Sequence, residues 1–119
     1  MATINEVITN LKAWGDRFVH LILWETMGDD DTGRAIQMPG SSDRSVQISG
    51  TFNTATVVLQ GSNDNVTWFT LTDPQGNAIS KTAGALEMIS ELTRYIRPVT
   101  SGGGGSTDID VTVLVKKVQ

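Results

Sequence analysis

The chain has 119 residues, 39% of them hydrophobic and 18% charged, with no cysteine and a formal net charge of −4. That length fits one domain with a core of its own, and the missing cysteines exclude a disulfide framework, a thiolate metal site and a cysteine nucleophile. The nine basic residues are scattered, with Lys116-Lys117 the one adjacent pair, so there is no basic stripe to collect phosphates and no nucleic-acid partner is expected. The opening residues 1–6 are polar and read as carrying no export signal, and the longest apolar stretch, residues 21–24, is far too short for a membrane-spanning helix.

Residues 4–14 (INEVITNLKAW) place Ile4, Val7, Ile8, Leu11 and Trp14 at helical spacing, which leaves a short helix and an extended arm both open. From residue 17 onward a period of two dominates. FVHLILWETM (18–27) has Phe18, Ile22 and Trp24 on one face and Val19, Leu21 and Leu23 on the other. A strand apolar on both faces is buried on both, within the domain or at a subunit contact. SVQISGTF (45–52) points Val46, Ile48 and Phe52 inward, and residues 53–60 do the same with Ala55, Val57 and Leu59. A tight hairpin at 52–54 is expected to join them.

After the turn at 61–65, VTWFTLT (66–72) reads as a strand on its β-branched and aromatic content. A turn at 73–77 and a short strand at 78–82 follow, and GALEMISEL (84–92) fits a helical turn or two. Strands at 95–100 and 107–118 complete the chain, flanking a hairpin tip, SGGGGS (101–106), whose glycines have the most conformational freedom to lose. The pattern predicts an all-β protein, an antiparallel β-sandwich of jelly-roll type with about seven or eight strands. An N-terminal arm or short helix over 1–16 precedes a sandwich domain over 17–119.

Little in the chain suggests catalysis, and no enzyme is expected. The one histidine, His20, lies in the most apolar strand, where packing is its expected role. Asp29-Asp30-Asp31 reads as a solvated turn, because a calcium loop spaces its aspartates and adds a distal glutamate. Asp73, Glu87 and Glu91 are read as surface charges, since a glycosidase pair needs a fixed separation across a cleft. Asn65-Val66-Thr67 matches a glycosylation sequon and is read as a coincidence, since no export signal is expected. Arg94-Tyr95-Ile96-Arg97-Pro98 offers arginines beside an aromatic at a strand end, either as ordinary ion pairs or as a contact with a partner subunit.

Taken in order, the segments DRSVQISGTF (43–52), LQGSND (59–64), Trp68, LTDPQGN (71–77) and TRYIRP (93–98) resemble a family of small tailed-bacteriophage capsid decoration, or cement, proteins. The resemblance covers roughly residues 33–115. It implies a jelly-roll sandwich on the capsid exterior, made in the host bacterial cytoplasm. There it would bridge major capsid protein subunits as a homodimer or homotrimer and stabilise the expanded shell. No catalytic residue, cofactor or metal is implied, nor any membrane contact. On this reading the expected interface residues are Ile4, Val7, Leu11, Trp14, Phe18, Leu21, Leu23, Trp24, Met27, Met38, Arg94 and Arg97, with residues 2–14 reaching a neighbour. GSNDNVTW (61–68) followed by RYIRP (94–98) also resembles discoidin-like carbohydrate-binding sandwiches. That likeness implies Trp68 and Tyr95 at or near the core, with sugar held in end loops. Loops 28–33, 40–44, 61–65, 73–77 and 101–106 carry no aromatic platform, which counts against it.

Overall fold

A computed structural model describes residues 2–11 and 18–117, and among them it contains strands but no α-helix. Five strands form one sheet: β2 (Glu6–Asn10), β3 (Val19–Met27), β6 (Asp43–Thr51), β10 (Ala85–Met88) and β12 (Asp108–Lys116). Their spatial order is β10-β6-β12-β3-β2, and every neighbouring pair is antiparallel. The second sheet has seven strands: β1 (Thr3–Ile4), β4 (Thr32–Gly33), β5 (Ile36–Gln37), β7 (Thr56–Ser62), β8 (Phe69–Thr70), β9 (Ser80–Lys81) and β11 (Tyr95–Ser101). It is built around the antiparallel β7–β11 pair, and its β1–β4 contact is parallel. The chain passes repeatedly from one sheet to the other, as a jelly-roll sandwich requires.

Alternation decides which side chains fill the space between the sheets. Val111, Val113 and Val115 of β12, Val46 and Ile48 of β6, and Val57 and Leu59 of β7 are all buried. Each such side chain contributes about 1.5–3 kcal/mol on burial. β3 adds Ile22 and Trp24, then breaks phase. Thr26 takes a positive φ of 53°, and the register with β12 shifts between Ile109 and Val111. This bulge turns Met27 into the core, and Asp110 Oδ1 accepts from the Thr26 N–H at 3.0 Å. Trp24 is fully buried and donates Nε1–H to the Arg34 carbonyl at 3.1 Å. Its ring sits where Gly33 has no side chain: a Cβ there would lie 2.9 Å from Trp24 Cδ1 and 2.5 Å from Pro98 Cδ.

Several elements differ from the sequence expectation, each for a local reason. The turn at 52–55 forms, with Ala55 N–H donating to the Phe52 carbonyl and Asn53 and Thr54 at positive φ. It carries the chain from one sheet to the other, because β6 and β7 belong to different sheets. The 101–106 glycine run likewise spans the sheets and is no hairpin tip. Gly103 N–H donates to Asp29 Oδ1, Gly104 N–H to Thr107 Oγ1, and the Gly102 carbonyl accepts from Thr54 Oγ1. The expected strand 66–72 shrinks to Phe69–Thr70, since Asp64 Oδ1 captures the Val66 and Thr67 N–H groups that a ladder would need. Within 84–92, residues 85–88 are a strand rather than a helical turn, because the free edge of β6 pairs all four. Of the two forms open for 4–14, the described residues 3–10 take the extended one. A helix that short is marginal, whereas β3 and β4 offer backbone partners. Residues 3–10 are therefore paired into the sandwich, β1 in one sheet and β2 at the edge of the other.

One charge is built into the core wall. Arg44 points inward from β6, is 3% exposed, and donates to the carbonyls of Ser41 (2.6 Å), Met38 (2.7 Å) and Thr93 (3.1 Å). It thereby fastens the 38–41 and 93 loops to the end of the five-stranded sheet. Burial lowers its pKa, but three carbonyl acceptors suit a cation. Arg44→Met should lower stability by about 3 kcal/mol, because each carbonyl left buried without a donor costs about 1–3 kcal/mol. Urea unfolding measures this, and a loss below about 1 kcal/mol would mean that water replaces the guanidinium.

Candidate interaction face

The outer face of the five-stranded sheet follows from its registers. Met88, Ser45, Leu114, Leu21 and Thr9 form one cross-strand row. Leu86, Gln47, Thr112, Leu23 and Val7 form the next. Apolar side chains thus run from edge to edge of the sheet, with short polar residues between them. Leu86 is 67% exposed, Val7 54%, Met88 53% and Leu114 38%. Leu21 and Leu23 are half-buried among them. Asp43 and Lys116, paired across β6 and β12, bound the face at one end, and Asp110 lies at the other. An apolar centre with a charged rim, on a sheet that one helix or partner could cover, is the anatomy of a contact surface.

Five of the apolar residues expected at an interface lie off this face. Trp24 and Met27 are fully buried core residues, because the bulge at Thr26 keeps both on the inner side. Ile4 and Met38 are half-buried and pack against the core from its rim. Leu11 is half-buried at the end of β2. Val7, Leu21 and Leu23 do lie on the apolar face. Phe18, 38% exposed, stands at the start of β3 with Lys117 Nζ 5.9 Å from its ring centroid. Trp14 lies outside the described residues. His20 faces inward near the open end of the sheet, and its Nδ1 has no hydrogen-bond partner among the described residues.

Arg97 belongs to β11 of the opposite sheet, and Arg94 lies in the bend just before that strand. Arg97 Cζ lies 3.9 Å from the centroid of the Trp68 ring, and its Nε–H donates to Gln60 Oε1 at 2.9 Å. Arg94 Cζ is 5.2 Å from the Tyr95 ring, and its N–H donates to Asn63 Oδ1. Trp68 and Tyr95 are half-buried by these contacts. The two arginines thus cover aromatic rings of their own chain and are remote from the apolar face.

The acidic groups mostly hold loops. Asp31 Oδ2 accepts from Gly28 N–H and Oδ1 from Ala2 N–H, and Asp29 holds Gly103. Among the described residues no three His, Cys, Asp or Glu side chains gather where they could hold a metal. Asp73 accepts from Asn77 and Gln75, and the Asn77 N–H is the main reason its carboxyl is held below the usual range. Glu91 is pushed up by burial, yet the Thr72 hydroxyl and N–H outweigh this and leave it lowered.

Asp64 is the most perturbed. Hydrogen bonds from Thr67 and Val66 N–H, then from the Ser62 hydroxyl, lower its carboxyl from 3.8 to about 2. A depressed folded pKa stabilises the fold fully above pH 3.8, and that contribution disappears as pH falls through about 2. Asp64→Asn should therefore flatten the stability profile across this window, and NMR of the wild-type carboxyl should give a midpoint near 2. A midpoint near 3.8 would contradict the geometry of this turn.

No protein-family model matches this sequence, and no curated protein matches it. Among solved structures the chain is similar to the SPBc2 prophage-derived protein YomS. The identity is 10% over 82% of this chain and 93% of that one, with a TM-score of 0.58. What the two share is the fold. A sugar phosphate isomerase of the cupin superfamily from Silicibacter pomeroyi aligns at 12% identity over 89% of this chain and 55% of its own, with a TM-score of 0.45. Chitosan-binding module 1 of a chitosanase/glucanase from a Paenibacillus species aligns at 13% identity over 82% and 68%, with a TM-score of 0.41. Neither of these two likenesses bears on function.

Proposed function

We propose that the chain is a non-enzymatic structural protein of a tailed-phage particle. It binds the outer surface of the capsid and bridges major capsid subunits as a dimer or trimer, stabilising the expanded shell. The observation that carries this reading is the apolar outer face of the five-stranded sheet, with Leu86, Met88 and Leu114 exposed on an otherwise complete sandwich. The order of motifs over residues 33–115 supports it, as does a fold shared with a prophage-derived protein.

The physics of such a role suits a small domain. Modest affinity at each capsid contact is multiplied when copies are joined, since the second contact becomes intramolecular. Preference for the expanded shell stabilises that shell by linkage. Mass spectrometry of purified particles of the encoding phage tests the setting. The chain is expected in the virion at a fixed ratio to the major capsid protein. Its absence from intact particles would remove the proposal.

A further inference from the structure

A second surface, separate from the apolar face, has the features of a small-ligand site. A cavity of about 440 Å3 opens beside β8, lined by the 61–64 turn, Thr67, residues 69–71, Glu91 and Thr93. That volume falls within the size range of small-ligand sites, about 300–1,000 Å3. Phe69 is 69% exposed at its edge. Its cross-strand partner is Gly61, so no side chain covers the ring from β7. Gly61 is itself required, because a Cβ there would lie 2.6 Å from Leu71 Cδ2 and 2.8 Å from Thr93. The loop expected to lack an aromatic is therefore longer than its 61–65 core and leads directly into an open one.

The polar groups around this ring are fixed and only partly used. Asp64 Oδ1 accepts from the Ser62 hydroxyl and from the Val66 and Thr67 N–H groups, which fixes the carboxylate in the cavity wall. Asn63 uses Oδ1 to hold Arg94 N–H, which leaves its Nδ2 as a donor. Thr70 contributes a hydroxyl. A bare aromatic face beside a rigid donor and acceptor matches a pyranose ring, which offers C–H groups on one side and adjacent hydroxyls at its edge. The carboxylates disfavour an anionic ligand. A cation is poorly served too, since one ring makes no aromatic cage and both oxygens of Glu91 are engaged by Thr72.

We propose that this cavity binds a sugar unit of a neutral glycan, with Phe69 as the stacking platform and Asn63, Asp64 and Thr70 addressing hydroxyls. The site shares no residue with the apolar face, so it stands or falls independently of capsid binding.

The test is NMR titration of the 15N-labelled full chain with glucose, galactose, mannose and N-acetylglucosamine, and with their two- to four-unit oligomers. Binding by one of them at about millimolar affinity is expected, the strength a single small-ring contact supports. Shifts should be confined to residues 61–71 and 91–93. Phe69→Ala, a change at an exposed side chain, should weaken this binding about two- to tenfold, while Leu114→Asp should not alter it. Absence of shifts with every sugar at tens of millimolar would overturn the proposal. So would shifts elicited only by tetramethylammonium, or binding unaffected by Phe69→Ala.

Discussion

Trp24→Ala should lower the unfolding free energy by about 3–5 kcal/mol, the range for deleting a fully buried aromatic. The indole is 0% exposed between the sheets, and its removal also leaves the Arg34 carbonyl without its 3.1 Å donor. Domains of this size hold only about 5–15 kcal/mol in total, so the variant should unfold well below the wild type in urea and on heating. Trp24→Phe keeps most of the volume and loses the hydrogen bond, so its cost should be clearly smaller. A loss below about 1 kcal/mol for the alanine variant would show that Trp24 is not the centre of the core.

The second large effect is expected in binding rather than in stability. Leu21→Asp combined with Leu114→Asp places two charges in one cross-strand row of the outer face. The inner faces are untouched, but two like charges opposite one another and the loss of the half-buried Leu21 should lower stability by about 1–2 kcal/mol, which leaves the domain folded. Contact with capsid or with a second copy should weaken about 30-fold or more, because an interface centre contributes at least about 2 kcal/mol per anchoring residue. Titration against shells, read beside a melting curve, separates the two effects. Unchanged binding in a folded variant would move the contact to another face.

Much of this architecture can be read from periodicity. β12 alternates Ile109, Val111, Val113 and Val115 with outward residues, and the sandwich places all four in the core. The double-sided apolar pattern of β3 points to a contact on its second face, and Leu21 and Leu23 do lie outward. Sheet membership is hidden, because the Asn53–Thr54 turn has the same local chemistry whether it joins neighbours in one sheet or crosses between two. The bulge at Thr26 is hidden too, as nothing in Glu25-Thr26-Met27 marks the change of phase that buries Met27. Leu86, Met88 and Leu114 were missed from the face although a signal existed. Leu86 and Met88 alternate in GALEM, and Leu114 replaces a polar residue in the outward series of β12. Arg44 inside a strand gives no hint of burial, since one of its carbonyl partners, Thr93, comes from a distant loop and the other two from the irregular chain at 38–41.

Sedimentation with capsids of the encoding phage, expanded and unexpanded, tests the central claim most directly. Saturable co-sedimentation with expanded shells, at a fixed ratio to the capsid subunit and weak or absent with unexpanded ones, is the predicted result. Failure to co-sediment with either form, by a protein that is folded by its melting curve, would contradict it.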